Sequence, residues 1–384
     1  MPDLRYGRRL LPRFLLDPGV IYLNHGSFGA TPRVVLKEQE RWRARMERQP
    51  TRFMVDTLPG ALRRAADKLA WFVGTSGERL AFLDNATSAV NTVLRAYPWK
   101  CGDELILLDH AYPAVANTAN YIAQRTGMVV RVVHLPFPVS TGAELIRPVT
   151  AAVNRRTRMA IIDHVCSRSS LVMPVKELCS ALRKRGVRVL VDGAHAPGML
   201  PLKLDALGAD WYTGNGHKWL FTPKGCAFLW AAPNSQRGLV PLTVSNHHGA
   251  GFPLEFDWTG TRDPCAWLSV GAALSFYRSL GGAALRARNR RLALAAARML
   301  AREWKVDLPA PAALLGSMVS LPLPGGPKAT PAAALLVNSM LWRRHRIEVP
   351  VFCLDNRLYV RISAQAYNEP ADYERLADAV LELA

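Results

Sequence analysis

The stretch Asp210–Trp230, "DWYTGNGHKWLFTPKGCAFLW", decides how the rest of the chain is read. It sets a His-Lys pair, His217 and Lys218, between a Gly-Asn-Gly turn and a Pro-Lys-Gly turn. A loop lysine ordinarily trails into solvent. This one is followed at once by Trp219, Leu220 and Phe221, bulky apolar residues that draw the segment inward. Burial disfavours an ammonium and favours the neutral amine, the form that attacks a carbonyl.

Working outward, "RLAFLDN", "DELILLDH", "MVVRVVHL", "RMAIIDHV", "VRVLVDGAH", "DWYTGN" and "CAFLWA" are short apolar runs, most of them ending in polar residues. Helical patterns lie among them: "LPGALRRAADKLAWFVG", which ends on Gly74, "ATSAVNTVLRAY" and "VKELCSALRKRG". This alternation predicts an α/β domain with a largely parallel sheet and helices on both faces. Polar residues at strand C-termini fall where such sheets collect ligands. Beyond Cys265 the texture changes to a long helical stretch through "LRARNRRLALAAARMLAREW", a proline-rich connection, "ALLVNSMLWRRH", the strand-like "RLYVRISA" and a last helix, "DYERLADAVLEL". The expected division is an N-terminal arm at 1–28, a large domain at 29–262 and a smaller α+β domain at 263–384.

With 384 residues, 49% of them hydrophobic and 21% charged, the chain can bury a sizeable core. A net charge of +19 is compatible with nucleic acid, anionic substrates or an arginine-rich surface. The basic residues are dispersed, apart from Arg286, Arg288, Arg290 and Arg291, and no helix-turn-helix, zinc-finger or RRM pattern accompanies them. A solvated basic face is the expectation, with no nucleic-acid partner. The six cysteines contain no C-x-x-C pair, which argues against a zinc site or a disulfide framework. Arginines interrupt the apolar N-terminal residues, and the longest uncharged run, Leu308–Pro327, holds five prolines. No signal peptide or membrane span is therefore read, and a cytoplasmic protein is expected.

Asp192 ends the Val-Leu strand of "VLVDGAHAPG", where an unpaired carboxylate is costly. A helix cap would satisfy it, as would a protonated heterocyclic nitrogen. His195 follows three residues later and could bond the same ring; Lys218 comes 26 positions after Asp192. A carboxylate that keeps a pyridine ring protonated, together with a lysine able to form a Schiff base, makes a site for pyridoxal 5'-phosphate (PLP).

These motifs resemble the fold-type I PLP enzymes of the class V aminotransferase superfamily, whose lysine motif is similar to "GHKWLFTPKG". The closest flavour is the isopenicillin N epimerase-like branch, which also holds C–S lyases such as those of the ergothioneine pathway. The resemblance runs from "YLNHGSFGATP" to "VRISAQAYNEPADYERLADAV". It implies that Lys218 forms the Schiff base and shuttles the α-proton, that Asp192 pairs with the ring nitrogen, and that His195 sits near the phenolic oxygen. It further implies a phosphate cradle of Ala86, Thr87 and Ser88 at a helix N-terminus, with Asn215 and His217 also reaching the phosphate. His110 aligns with the residue that stacks on the ring, and Tyr112 competes for that role. Either His110 or Tyr112 could give a proton to the second face of the substrate. Gly260 and Thr261 resemble a segment that reaches a neighbouring subunit's phosphate, which implies a homodimer with shared sites. Arg361 matches the arginine that grips a substrate α-carboxylate. Asn24, His25 and Ser27, in "NHGSFG", would line the substrate pocket, and Arg52 would add a second anion contact.

The chain departs from the desulfurases of the superfamily. Where they often carry an asparagine beside the cofactor, it reads "DHVCSRSS", and Cys353 is the only candidate for their nucleophilic cysteine. The expected activity is PLP chemistry at the α-carbon of an amino acid, epimerisation first, with C–S β-elimination or transamination as alternatives. A non-catalytic basic binding protein on the same fold is the alternative from another class.

Overall fold

The computed structural model of the chain describes residues 6–325 and 328–383. Its strands are β1 (Ile21–Tyr22), β2 (Leu80–Leu83), β3 (Glu104–Leu108), β4 (Val129–Val133), β5 (Thr157–Asp163), β6 (Arg188–Asp192), β7 (Trp211–Asn215), β8 (Ala227–Ala231), β9 (Met318–Pro322), β10 (Ile347–Glu348), β11 (Val351–Leu354) and β12 (Arg357–Ser363). The seven apolar runs of the central region become one sheet of order β2-β8-β7-β6-β5-β3-β4. Strands β7, β6, β5, β3 and β4 are mutually parallel, and β8 runs against both its neighbours. Every residue of β2, β3, β7 and β8 is buried. Alternate residues feed two cores: Leu105 and Leu107 pack on one face, Ile106 and Leu108 on the other. A sheet covered on both faces calls for mainly apolar sequence, and Glu104 and Asn215 stand at strand ends.

Parallel register has a direct consequence for polar residues. Asp163 and Asp192 are in-register partners across β5 and β6, and Asn215 closes β7 at the same edge of the sheet. Leu83 and Asn215 both face Ala227 of β8, so the turn after β2 and the helix Ala86–Ala96 start at that edge too. One rim therefore collects two acids, an asparagine and a helix N-terminus.

The smaller sheet is antiparallel, of order β11-β12-β9, and β1 pairs with β10. Strand β9 lies in the run read as a proline-rich connection, whose last two residues fall outside the described ones. It is an edge strand with Pro322 at its end, a place where a missing N–H is tolerated. The long helical stretch is two helices, Val270–Ser279 and Ala283–Trp304. Between them Gly281 and Gly282 adopt φ of 93° and 53°, a left-handed break that glycine accepts without a steric penalty. The arginine cluster on the second helix is not simply a solvated face. Arg288 donates to the Gln365 and Asn368 carbonyls, Arg290 to those of Leu315 and Ala312, and Arg286 to the Tyr277 hydroxyl. Part of the positive charge thus braces the C-terminal region. Among the described residues no helix is long and apolar enough to cross a membrane.

The lysine segment is held tightly. Phe221 has φ 65°, unusual for a bulky residue, in a conformation that costs about 1–3 kcal/mol. Ring contacts with Phe14, His25, Phe276 and Tyr277 fix it there. On the other side the "NHGSFG" loop presses against the lysine backbone: a Cβ at Gly29 would lie 2.2 Å from the Lys218 carbonyl oxygen. Lys224 of the Pro-Lys-Gly turn locks the contact by donating to the Gly29 carbonyl at 2.6 Å. Gly29→Ala should therefore destabilise by about 1–3 kcal/mol, the usual cost of overpacking. Gly60→Ala, inside the helix Leu58–Val73 and facing only the mobile end of Arg64, should stabilise by about 0.5–1 kcal/mol. Urea unfolding midpoints that moved in the same direction for both would contradict this packing.

Candidate active site

The rim of the large sheet surrounds a cavity of about 330 Å³. Asp163 and Asp192 enter it from β5 and β6, Asn215 from the end of β7, and Asn85, Ala86 and Thr87 from the helix N-terminus. Ala194, His195, His217 and Lys218 line it from the loops after β6 and β7. Ser27, Phe28, Tyr112, Val165 and Ser167 complete the wall.

Lys218 is the chemical centre of this arrangement. Burial pushes its amine down to about 7, the nearby Arg361 charge adds to the effect, and Asp192 opposes it. Its Nζ lies 3.0 Å from His195 Nε2, whose ring is itself held well below the usual histidine range by burial and by Lys218. Asp192 accepts the Ala194 N–H at 2.9 Å. Burial raises its carboxyl above the ordinary value, against the pull of the Ala194 bond and the lysine charge.

Several buried polar atoms have no hydrogen-bond partner among the described residues: His195 Nδ1, Asp163 Oδ2 and both ring nitrogens of His110. Such orphans are costly unless a ligand or solvent completes them. At the helix N-terminus the Ala86 N–H donates to Asn215 Oδ1, the Ser88 N–H to Asn85 Oδ1 and the Ala89 N–H to the Asn85 carbonyl. The Thr87 N–H is left over. His217 lines the cavity, with Nδ1 3.0 Å from the Cys226 carbonyl oxygen. A free amide at a helix N-terminus, side chains able to yield their bonds, a nucleophilic amine and unsatisfied groups on the sheet rim suit a phosphorylated aromatic aldehyde. The residues present fit PLP.

Arg361, on β12, is buried and has no ion-pair partner among the described residues. Its guanidinium donates to the Ser167 carbonyl at 2.5 Å and to Ser27 Oγ at 2.6 Å, with Asn24 Oδ1 at 3.5 Å. Burial lowers it to about 10. A buried cation satisfied only by neutral oxygens is an electrostatic request for an anion.

Some sequence expectations meet a different geometry. His25 does not line the cavity. It is fully buried, with Nδ1 2.8 Å from the Tyr367 hydroxyl and Nε2 3.0 Å from the Lys218 carbonyl, and burial lowers it to about 3. It braces the lysine backbone from behind because the loop turns its ring toward the aromatic cluster. Arg52 is exposed on the short helix Pro50–Arg52 and does not reach the cavity; the next residue, Phe53, takes the inward position. Ser88 has its amide and hydroxyl turned to Asn85 and does not line the cavity, whereas Ala86 and Thr87 do. His110 is buried edge-on against Phe137, while Tyr112 is the one of the two that lines the cavity, at 46% exposure. Gly260 and Thr261 stand away from this chain's own cavity, on the partly open loop before the helix Cys265–Leu268. Cys353 is half-buried within β11 and not on a loop over the cavity, in keeping with the chain's departure from the desulfurases. Asp163 was missed. The available signal was a carboxylate ending the apolar run "RMAIID", the same argument that singled out Asp192.

An open α/β sheet with a lysine of lowered pKa, a strand-end carboxylate and a helix N-terminus at one rim is the arrangement of a fold-type I PLP enzyme. The sequence model of the family "Aminotransferase class-V" matches residues 21–376, and the chain belongs to that family. A protein named isopenicillin N epimerase from Amycolatopsis lactamdurans is 38% identical, over 96% of this chain and 96% of its own. A probable chloroplastic L-cysteine desulfhydrase from Arabidopsis thaliana is 34% identical, over 95% of this chain and 83% of its own. Among solved structures, a C-DES mutant with glycine covalently linked to its PLP cofactor superposes with a TM-score of 0.79 at 22% identity, covering all of both chains. Membership makes the chain a PLP-dependent enzyme.

The depressed lysine predicts a pH dependence. A base whose pKa falls to about 7 is mostly neutral above that pH, whereas a solvated lysine stays charged until about 10.4. The rate of covalent PLP capture should rise as pH increases through about 7 and then level off. Borohydride fixation followed by mass spectrometry should place the adduct on Lys218 and find none in Lys218→Ala. A rate still climbing steeply past pH 9 would mean a solvated amine, since only that form titrates near 10.4.

Proposed function

We propose that the protein binds an amino-acid substrate through Arg361 and moves the proton of its α-carbon with Lys218. The observation that carries this reading is the buried, anion-free guanidinium of Arg361, with its partners Ser27 and Ser167 lining the same cavity as the depressed amine. When bound, PLP supplies an aldehyde that links to amines and an electron-poor ring that draws electrons from a weakened α-bond.

The chain's own groups do the rest. Thr87, Ala86, Asn215 and His217 would hold the phosphate, and Asp192 would face the ring nitrogen. His195 would bond the phenolic oxygen while keeping the Lys218 amine oriented across their 3.0 Å contact. His110 would pack beside the ring. Once displaced, the Lys218 amine is the base on one face of the substrate. Tyr112, on the cavity wall, is the donor proposed for the other face.

Two-faced proton transfer is epimerisation, and identity to an epimerase along nearly the full length of both chains supports it. The second reading is β-elimination of a sulfur leaving group, supported by the desulfhydrase similarity. A non-catalytic binding protein would have no use for an amine held down to about 7. For Gly260 and Thr261, the reading that supports a homodimer is that they complete a second subunit's phosphate site, since they stand clear of this one. The reading also keeps the enzyme in the cytoplasm and divides the chain into an arm at 1–28, a large domain at 29–262 and a small domain at 263–384.

Incubating the PLP-loaded enzyme with an amino-acid panel in D₂O tests the proposal. Epimerisation gives α-deuterated substrate of both configurations; elimination of a cysteine-type substrate gives a keto acid, ammonia and sulfide. No exchange with any amino acid would remove α-carbon chemistry. Arg361→Lys should lower kcat/KM by about 10- to 150-fold, because charge-assisted bonds to a carboxylate are worth about 1.5–3 kcal/mol, while leaving PLP capture intact.

A further inference from the structure

Asp163 has no part in the roles assigned above, yet it lines the same cavity as Asp192. The two are Cα partners on adjacent parallel strands, about 4.8 Å apart by strand spacing, and in-register residues project to the same side. Both are buried, at 4% and 5% exposure. Two carboxylates so placed cannot both ionise without a strong repulsion in a low-dielectric setting.

The surroundings are unequal. Asp192 accepts the Ala194 N–H, and the Lys218 charge acts on it. Among the described residues Asp163 Oδ2 is buried without a hydrogen-bond partner, and burial and Asp192 push its carboxyl well above the usual range against the pull of a backbone N–H. The other titratable groups that interact with the pair are Cys166 beyond β5 and Tyr212 on β7, both held neutral by burial. His164, next after Asp163, lies 2.9 Å from the Tyr212 hydroxyl and is lowered to about 4 by burial. The cation that acts on the pair is Lys218, and it acts on Asp192.

We propose that Asp163 and Asp192 work as one unit carrying a single proton, held by Asp163 as a neutral acid, so that Asp192 alone is the anion on the sheet rim. Asp163 is then a positioning residue. It fixes the charge state and orientation of its neighbour without contacting the reacting atoms. Its effect on the ring nitrogen rests on the PLP reading above; the shared proton does not.

The test uses infrared spectra of the full-length chain, before and after loading with PLP. Without added cofactor at pH 8, the wild type should show the C=O stretch of a neutral carboxylic acid. That band should disappear in Asp163→Asn and persist in Asp192→Asn. An identical carboxylic-acid region in wild type and Asp163→Asn would overturn the proposal. In the second arm, Asp163→Ala should weaken PLP affinity by about tenfold or more, the scale of one lost buried hydrogen bond to a charged group. Asp163→Asn should restore it, because the amide donates a hydrogen bond as the neutral acid does. An Asn variant as damaged as Ala would mean that position 163 needs a negative charge, and the proposal fails. If Asp163→Ala does not fold, the infrared comparison of wild type with Asp163→Asn decides. Should the wild type take up no PLP while the band still vanishes in Asp163→Asn, the cofactor reading falls and the shared proton stands.

Discussion

Everything in this molecule that bears on chemistry depends on keeping one amine uncharged among other charges. Lys218 lies near Arg361 and against His195. Repulsion from the guanidinium and loss of water both favour the neutral form, while Asp192 favours the ammonium. The balance near neutrality leaves the lysine able to act as nucleophile and as base. Had Asp192 dominated, the amine would be a permanent ion-pair partner and chemically idle.

Holding that balance requires rigid backbone, and the fold provides it from both sides. Behind the lysine, His25 bonds its carbonyl and Gly29 lets the N-terminal loop come into contact. Gly198 does the same next door: its Cβ would lie 2.4 Å from the Trp219 carbonyl oxygen. Phe221, in a conformation that a bulky side chain seldom adopts, is pinned by four rings. The strain is local and the support is distributed, a common pattern where geometry must not drift. The N-terminal loop thus has two functions: Ser27 meets the substrate-side arginine while His25 and Gly29 meet the lysine.

The positive charge of the chain also divides by role. Arg361 is buried and, among the described residues, has no ion-pair partner, which suits it to the anion-binding role proposed for it. Arg286, Arg288 and Arg290 are tied to a hydroxyl and to backbone carbonyls, where their planar forks cap carbonyl-rich loop ends. Composition sums these residues into one number and cannot tell them apart.

The sequence by itself determined the sheet, the lysine and the family. Seven apolar runs became seven strands, since strands covered on both faces are mainly apolar and bounded by turn residues; the edge strand β4, largely exposed, was marked by its run of valines. The "GHKWLFTPKG" motif singled out the lysine that lines the cavity, since aromatic neighbours and flanking turns are local facts. Strand β9 was hidden because its run is crowded with prolines, and only its place at a sheet edge makes it a strand. The break at Gly281 and Gly282 was blurred by helical residues on both sides. Only the tertiary structure decided which side chains face one cavity. It put Asp163 beside Asp192, because partnership across a sheet depends on strand order. It turned His25 to the back of Lys218 and left Arg52 in solvent, because the direction of a loop side chain is set by what packs against it and not by its neighbours in sequence.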